Sequence, residues 1–172
     1  MVRKTSAKVD FFTPQCQTEG IDAAIWGICD DEDKTEKTPA YVSYDKQDKW
    51  NATVVNNSGK AINFTAVDNC VVVHRENGEM ENRCDAMLTN AGNLVFVELK
   101  DERKNWLTHA VEQLQATINA FGLYNDVSQY TCKRAFACNK RHPQFAYSNK
   151  ELKQRFFQKN GFRQFDEAVI TF

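Results

Sequence analysis

The chain has 172 residues, 42% of them hydrophobic and 26% charged, with a formal net charge of −1. That is the composition of one soluble globular domain with a core of its own, and it excludes a disordered chain. No apolar run approaches the ~20 residues of a membrane span, the N-terminus lacks a signal-peptide core, and a charge near zero argues against simple coating of nucleic acid.

Taken in chain order, residues 1–20 are polar and broken by Pro14 and Gly20, so an irregular lead-in is expected. Ala23 to Cys29 and Pro39 to Tyr44 read as a strand pair closed by an acidic loop from Asp30 to Lys37. Trp50 to Val55 and Ala61 to Val67 flank Asn56-Asn57-Ser58-Gly59, which predicts a hairpin; a helix over part of 50–63 is the alternative. Three further strands, 69–75, 80–88 and 94–100, read as a meander turned at Asn77-Gly78 and at Asn90 to Asn93.

From Asn105 to Phe121 the apolar period becomes helical, through Leu107, Ala110, Val111, Leu114, Ile118 and Phe121, with Gly122 placed to end it. Ala135 to Cys138 suits a buried strand. Ser148 to Glu151 has the capping-box pattern and starts a helix to Asn160-Gly161, and Ala168 to Phe172 closes the chain as a short strand.

Six cysteines (Cys16, Cys29, Cys70, Cys84, Cys132 and Cys138) match no disulfide framework or zinc spacing. Free thiols in a reducing, cytoplasmic setting are therefore expected. His74, His109 and His142 are scattered, and Trp26, Trp50 and Trp106 suit core or rim anchors. Between Thr131 and Arg163 nine basic residues, among them Lys133, Arg134, Lys140 and Arg141, face only Glu151. Such a segment suits phosphate contact and equally suits a solvated helix face.

The chemistry gathers on the run Leu94 to Lys100. A strand alternates its side chains, so Glu98 and Lys100 share one face while Val97 and Leu99 take the other. The preceding strand can bring Asp85 alongside. Two carboxylates ~4 Å apart repel by about 4 kcal/mol at an effective dielectric of ~20, so a cation or the lysine must compensate. Glu-x-Lys recurs at Glu32, Glu102 and Glu151, but only Glu98-Leu99-Lys100 lies on a strand.

Asp85, the spacer, Glu98-Leu99-Lys100 and the following helix resemble the PD-(D/E)xK nuclease superfamily, over roughly residues 68–140. Cys84 stands where the motif has proline. The resemblance implies an α/β (α+β) fold of restriction-endonuclease type: a central mixed sheet with an antiparallel meander, flanked by helices. The chain then divides into an N-terminal β-rich extension over 1–67 and a nuclease-like core over 68–172. It also implies hydrolysis of DNA phosphodiester bonds by metal-activated water. Asp85, Glu98 and the Leu99 carbonyl would hold Mg²⁺, or Mn²⁺ in its place, with Lys100 as the catalytic cation. Gln113, on the helix stripe Trp106, Ala110, Gln113, Thr117, is a recurring site element in this superfamily; a boundary glutamine bonded to backbone is the alternative. Asp68 could add a further metal-binding acid or simply make a turn.

Cutting both strands of a duplex would suggest a homodimer. Two rivals remain: a nucleic-acid-binding or protein-interaction module on the same fold without cleavage, and a structural domain in which Glu98 and Lys100 form a surface ion pair.

Overall fold

The computed structural model describes residues 8–31, 35–141 and 149–172. The described chain forms ten strands and two helices in an α+β arrangement. A six-stranded sheet contains β1 (Gln17–Ile21), β5 (Ile62–Ala66), β6 (Ala86–Asn90), β7 (Asn93–Lys100), β8 (Cys132–Asn139) and β9 (Arg163–Phe165), in that spatial order. A four-stranded sheet runs β10 (Val169–Thr171), β4 (Ala52–Val55), β2 (Ile25–Cys29), β3 (Tyr41–Ser43). Helix α1 spans Trp106–Tyr124 and α2 spans Lys150–Asn160.

Side-chain alternation along β7 divides the core in two. Leu94 and Phe96 join a cluster under α1 that includes Phe11, Leu114, Phe121 and Phe162. Val95, Val97 and Leu99 point the other way, into a cluster with Trp26, Ile28, Val54, Phe64 and Ile170. The large sheet is thus the middle layer, with the helices on one face and the small sheet on the other. Burial on both faces explains why β7 is almost continuously apolar until Glu98.

Strands β5, β6 and β7 form the antiparallel meander, and α1 carries the chain over to β8, parallel to β7 along its whole length. The β6–β7 connection is the two-residue turn Ala91-Gly92, both with positive φ (35° and 93°), which matches the right-handed strand twist. The β2–β3 pair forms as expected.

Several expectations fail here. Residues 71–75 form no strand; the first strand of the meander is β5. Asn69 at φ 60° and the bonds from Cys70 and Val71 N–H to Val67 O turn the chain away, leaving one bridge, His74 to Met80. The hairpin over 50–67 is absent, because β4 enters the small sheet and β5 the large one. From the N-terminal β-rich segment 1–67, β1 and β5 join the large sheet beside β6. The lead-in is partly ordered, with β1 formed and Phe11 buried. Gly122 lies inside α1, which ends at Tyr124 with Asn125 as its C-cap, while Gly161 caps α2 at φ 77°. The capping serine Ser148 lies outside the described residues, and Asn149 makes no side-chain cap.

The cysteines also depart from expectation. Cys16 and Cys70 are joined in a disulfide across 54 residues, tying the start of β1 to the loop after β5; Cys29, Cys84, Cys132 and Cys138 are free. A bonded pair removes the ground on which a reducing cytoplasm was expected. No described helix is long and apolar enough to cross a membrane.

Candidate active site

The site lies at the C-terminal end of β7. Ala86 pairs with Val97, so the antiparallel register sets Asp85 beside Glu98. Asp85 Oδ2 accepts a hydrogen bond from the Leu99 N–H at 2.7 Å. Glu98 is 2% exposed; its Oε1 accepts from Lys100 Nζ at 3.0 Å, and its Oε2 is buried with no partner. Lys100 Nζ donates to Gln113 Oε1 at 2.7 Å, and Gln113 Nε2 reaches the Arg83 carbonyl at 3.4 Å. The four expected catalytic residues Asp85, Glu98, Lys100 and Gln113 therefore converge, two strands and one helix contributing.

Helix α1 holds both strands at once. Four residues after Gln113, Thr117 Oγ1 accepts from the Cys84 N–H at 2.7 Å and donates to the Gln113 carbonyl at 2.9 Å. This fixes the backbone just before Asp85. Arg83, 9% exposed, donates to the Val71 carbonyl and pairs with Asp68 at 3.1 Å, clamping the 67–71 turn against the same strand.

Burial is the leading influence on both acids. It pushes the half-buried Asp85 up to about 7, opposed by the Leu99 N–H and reinforced by the charges of Asp30 and Asp68. Burial, and then the Asp85 charge, drive Glu98 well above the usual carboxylate range. Burial also works against the Lys100 ammonium, but Glu98 and Asp85 outweigh it and hold Lys100 above its ordinary value. One lysine does not neutralise two such acids, so the pair favours a shared proton or a bound cation.

These groups open onto a cleft of about 1100 Å³, bordered by Leu99, Arg83, Asp68, Cys70 and Arg141, and by Asp30 and Asp31 from the small sheet. Asp68 borders the same cleft, but its Oδ1 pairs with Arg83 at 3.1 Å, and among the described residues no three His, Cys, Asp or Glu side chains form a group that could hold a metal. The donors left for a cation are Asp85, Glu98 and backbone oxygen.

The expected phosphate contacts split. Because β7 and β8 are parallel, Lys140 and Arg141 follow β8 at the site end, where Lys140 N–H donates to the Lys100 carbonyl and Arg141 pairs with Asp101 at 2.8 Å. Lys133 and Arg134 pair with Leu94 and Val95, about 20 Å away at ~3.3 Å per residue. Arg134 lies over the Phe136 and Phe172 rings and donates to the Thr171 carbonyl, so neither residue serves the cleft. His109 sits beside Glu112 at 3.8 Å, and His142 lies outside the described residues.

Sequence reasoning missed Arg83, Thr117 as a strand clamp, and Asp30. Arg83 borders the motif and Thr117 lies on the Gln113 stripe, so both had a local signal. Asp30 reaches the site only because the small sheet packs there, which no local pattern reveals. Comparison of the chain with protein families, with curated proteins and with solved structures finds no match in any of the three.

Proposed function

We propose that this chain is a metal-dependent nuclease of the PD-(D/E)xK type that hydrolyses phosphodiester bonds in DNA. The observation that carries the reading is Glu98: a buried carboxylate with one oxygen on Lys100 and the other unpartnered, beside Asp85 and facing a cleft. Leaving such an oxygen unsatisfied costs about 1–3 kcal/mol or more, and a site that spends stability in this way is a functional candidate. The order of antiparallel β5, β6 and β7, then α1, then parallel β8 supports the restriction-endonuclease-like fold that the motif implies.

The donor set fits Mg²⁺: hard carboxylate oxygens from Asp85 and Glu98, with the Leu99 carbonyl as a backbone candidate. When bound, the ion would supply Lewis-acid neutralisation of phosphate charge and ease deprotonation of water. The chain's own groups then have defined tasks. Glu98 and Gln113 hold the Lys100 ammonium at 3.0 and 2.7 Å, fixing a compact positive charge at the cleft wall, where it stabilises developing anionic charge and orients a water. Gln113 also joins Lys100 to the strand that carries Asp85, so the acid and the cation keep their spacing.

The test is incubation of wild type and Lys100→Ala with plasmid and single-stranded DNA in Mg²⁺ or Mn²⁺. Cleavage by wild type, suppressed by EDTA and at least 100-fold slower in Lys100→Ala, is the expected result. Equal nicking by both proteins, or none by either, overturns it.

A further inference from the structure

Away from the cleft, α1 and α2 leave a groove of about 350 Å³ between them. Leu107 and Val111, one turn apart on α1, form one wall, and Leu152 and Phe156 of α2 form the other. Arg155 and Lys159 follow Leu152 at i+3 and i+7, so the helix sets both cations on the rim of the apolar floor. Both are exposed, and neither has an ion-pair partner among the described residues. Lys150 and Lys153 add to the charge of α2, although Lys153 is engaged by Asp166 at 3.3 Å; Glu151 and Glu112 are the opposing acids.

The groove is not isolated. Glu112 also borders a hollow of about 260 Å³ whose wall includes His109, Gln113 and Lys100. Gln113 and Lys100 in turn line the active-site cleft. Glu112 thus stands between the groove and the hollow, and Gln113 and Lys100 between the hollow and the cleft, so the three lie side by side along α1.

We propose that this groove binds a single strand of nucleic acid, with unpaired bases on the apolar floor and phosphates on Arg155 and Lys159, and leads that strand to the cleft. The proposal rests on the nuclease reading and narrows its substrate to DNA with an unpaired segment. Single-strand grooves combine a basic rim with a non-polar platform, because an unpaired strand exposes both phosphates and base faces. A duplex hides its bases and offers the floor nothing. An acidic amphipathic helix could use the same floor and the same cations, but it would have no reason to continue to Lys100.

The experiment is fluorescence anisotropy of a labelled oligothymidylate of about 15 nucleotides in EDTA, where no cleavage intervenes. Wild type is compared with the Arg155→Glu, Lys159→Glu double variant, whose exposed changes leave the fold intact by circular dichroism. We expect at least tenfold weaker binding by the variant, a salt slope shallower by about 2, and a preference of wild type for the single strand over a duplex of equal length. Unchanged affinity in the variant, or tighter duplex binding, overturns the proposal. So does binding of a glutamate-rich amphipathic peptide by a protein that ignores the oligonucleotide. Stabilisation of wild type by Mg²⁺ is read separately. Its presence without oligonucleotide binding sinks this inference alone, whereas oligonucleotide binding without it sinks the nuclease reading and, with that, the delivery of the strand to the cleft.

Discussion

Asp85→Asn in metal-free buffer tests whether the site is held in an electrostatically unfavourable state. The substitution keeps an oxygen that can accept from the Leu99 N–H and removes only the charge. Asp85 is raised from 3.8 to about 7. Three units at ~1.4 kcal/mol each set an upper bound of about 4 kcal/mol, and partial access of the carboxylate to the cleft reduces this to about 2. The sign follows from the raised value. The protonated form is the one the fold favours, so its contribution is complete below pH 3.8 and is lost as pH rises through about 7. With EDTA, wild type should therefore weaken between pH 4 and 7 relative to the variant. At pH 8 Asp85→Asn should be more stable by about 2 kcal/mol, or about 4–8 °C in melting temperature for a chain of this size. Added Mg²⁺ should reverse the order, stabilising wild type and leaving the variant unmoved. The readout is urea unfolding at pH 5, 6, 7 and 8 with and without Mg²⁺. A difference that does not vary with pH, or a variant less stable than wild type at pH 8 in EDTA, would refute the claim that Asp85 is an uncompensated charge.

A Cβ added at Gly27 would lie 2.1 Å from the Trp50 ring, so Gly27→Ala should cost about 3 kcal/mol or more in denaturant unfolding; a loss below 0.5 would mean that Trp50 moves freely. Thr117→Val removes the acceptor for the buried Cys84 N–H and should destabilise by about 1–3 kcal/mol, with Thr117→Ser recovering most of it in the same assay. Breaking the Cys16–Cys70 bond frees a 54-residue loop, for which chain entropy gives about 4 kcal/mol; Cys16→Ser should lower the unfolding free energy towards that figure, and an unchanged midpoint in a dithiol would show the bond to be absent in solution.

What the sequence made legible was local in origin. The alternation from Leu94 to Lys100 put Glu98 and Lys100 on one face because β7 has that face buried under α1, and the helical stripe through Ala110 put Gln113 above them. Pairing partners were less legible. The turn at Asn56 to Gly59 does form, with Asn56 Oδ1 accepting from Ser58 and Gly59 at φ 69°. Yet Asn90 Nδ2 draws the Lys60 and Ala61 carbonyls towards the large sheet, and β4 finds its neighbours in β2 and β10. A turn signal says that the chain reverses, not that the strands on either side bond to each other. Val71 and Val73 show the same ambiguity: both are buried as a strand would bury them, but β5 already occupies the edge of β6. The Cys16–Cys70 bond joins positions too distant for spacing to suggest, and Asp30 reaches the cleft from the other sheet.

On the nuclease reading, the distribution of charge would divide nucleic-acid binding into two parts. Nine carboxylates line the cleft against four basic side chains, so this end of the molecule repels a polyanion at neutral pH unless protons or a cation offset the excess. On α2 the balance is reversed, with four basic residues against Glu151. A strand held on α2 would lose affinity with salt but have no need of a divalent ion, whereas its entry into the cleft would depend on one. The two dependences separate physically: Mg²⁺ should govern whether bound nucleic acid reaches Lys100, and ionic strength should govern whether it binds. An arrangement with a uniformly basic cleft would have merged them, and the acids that would keep them apart include the two whose burial costs the fold stability.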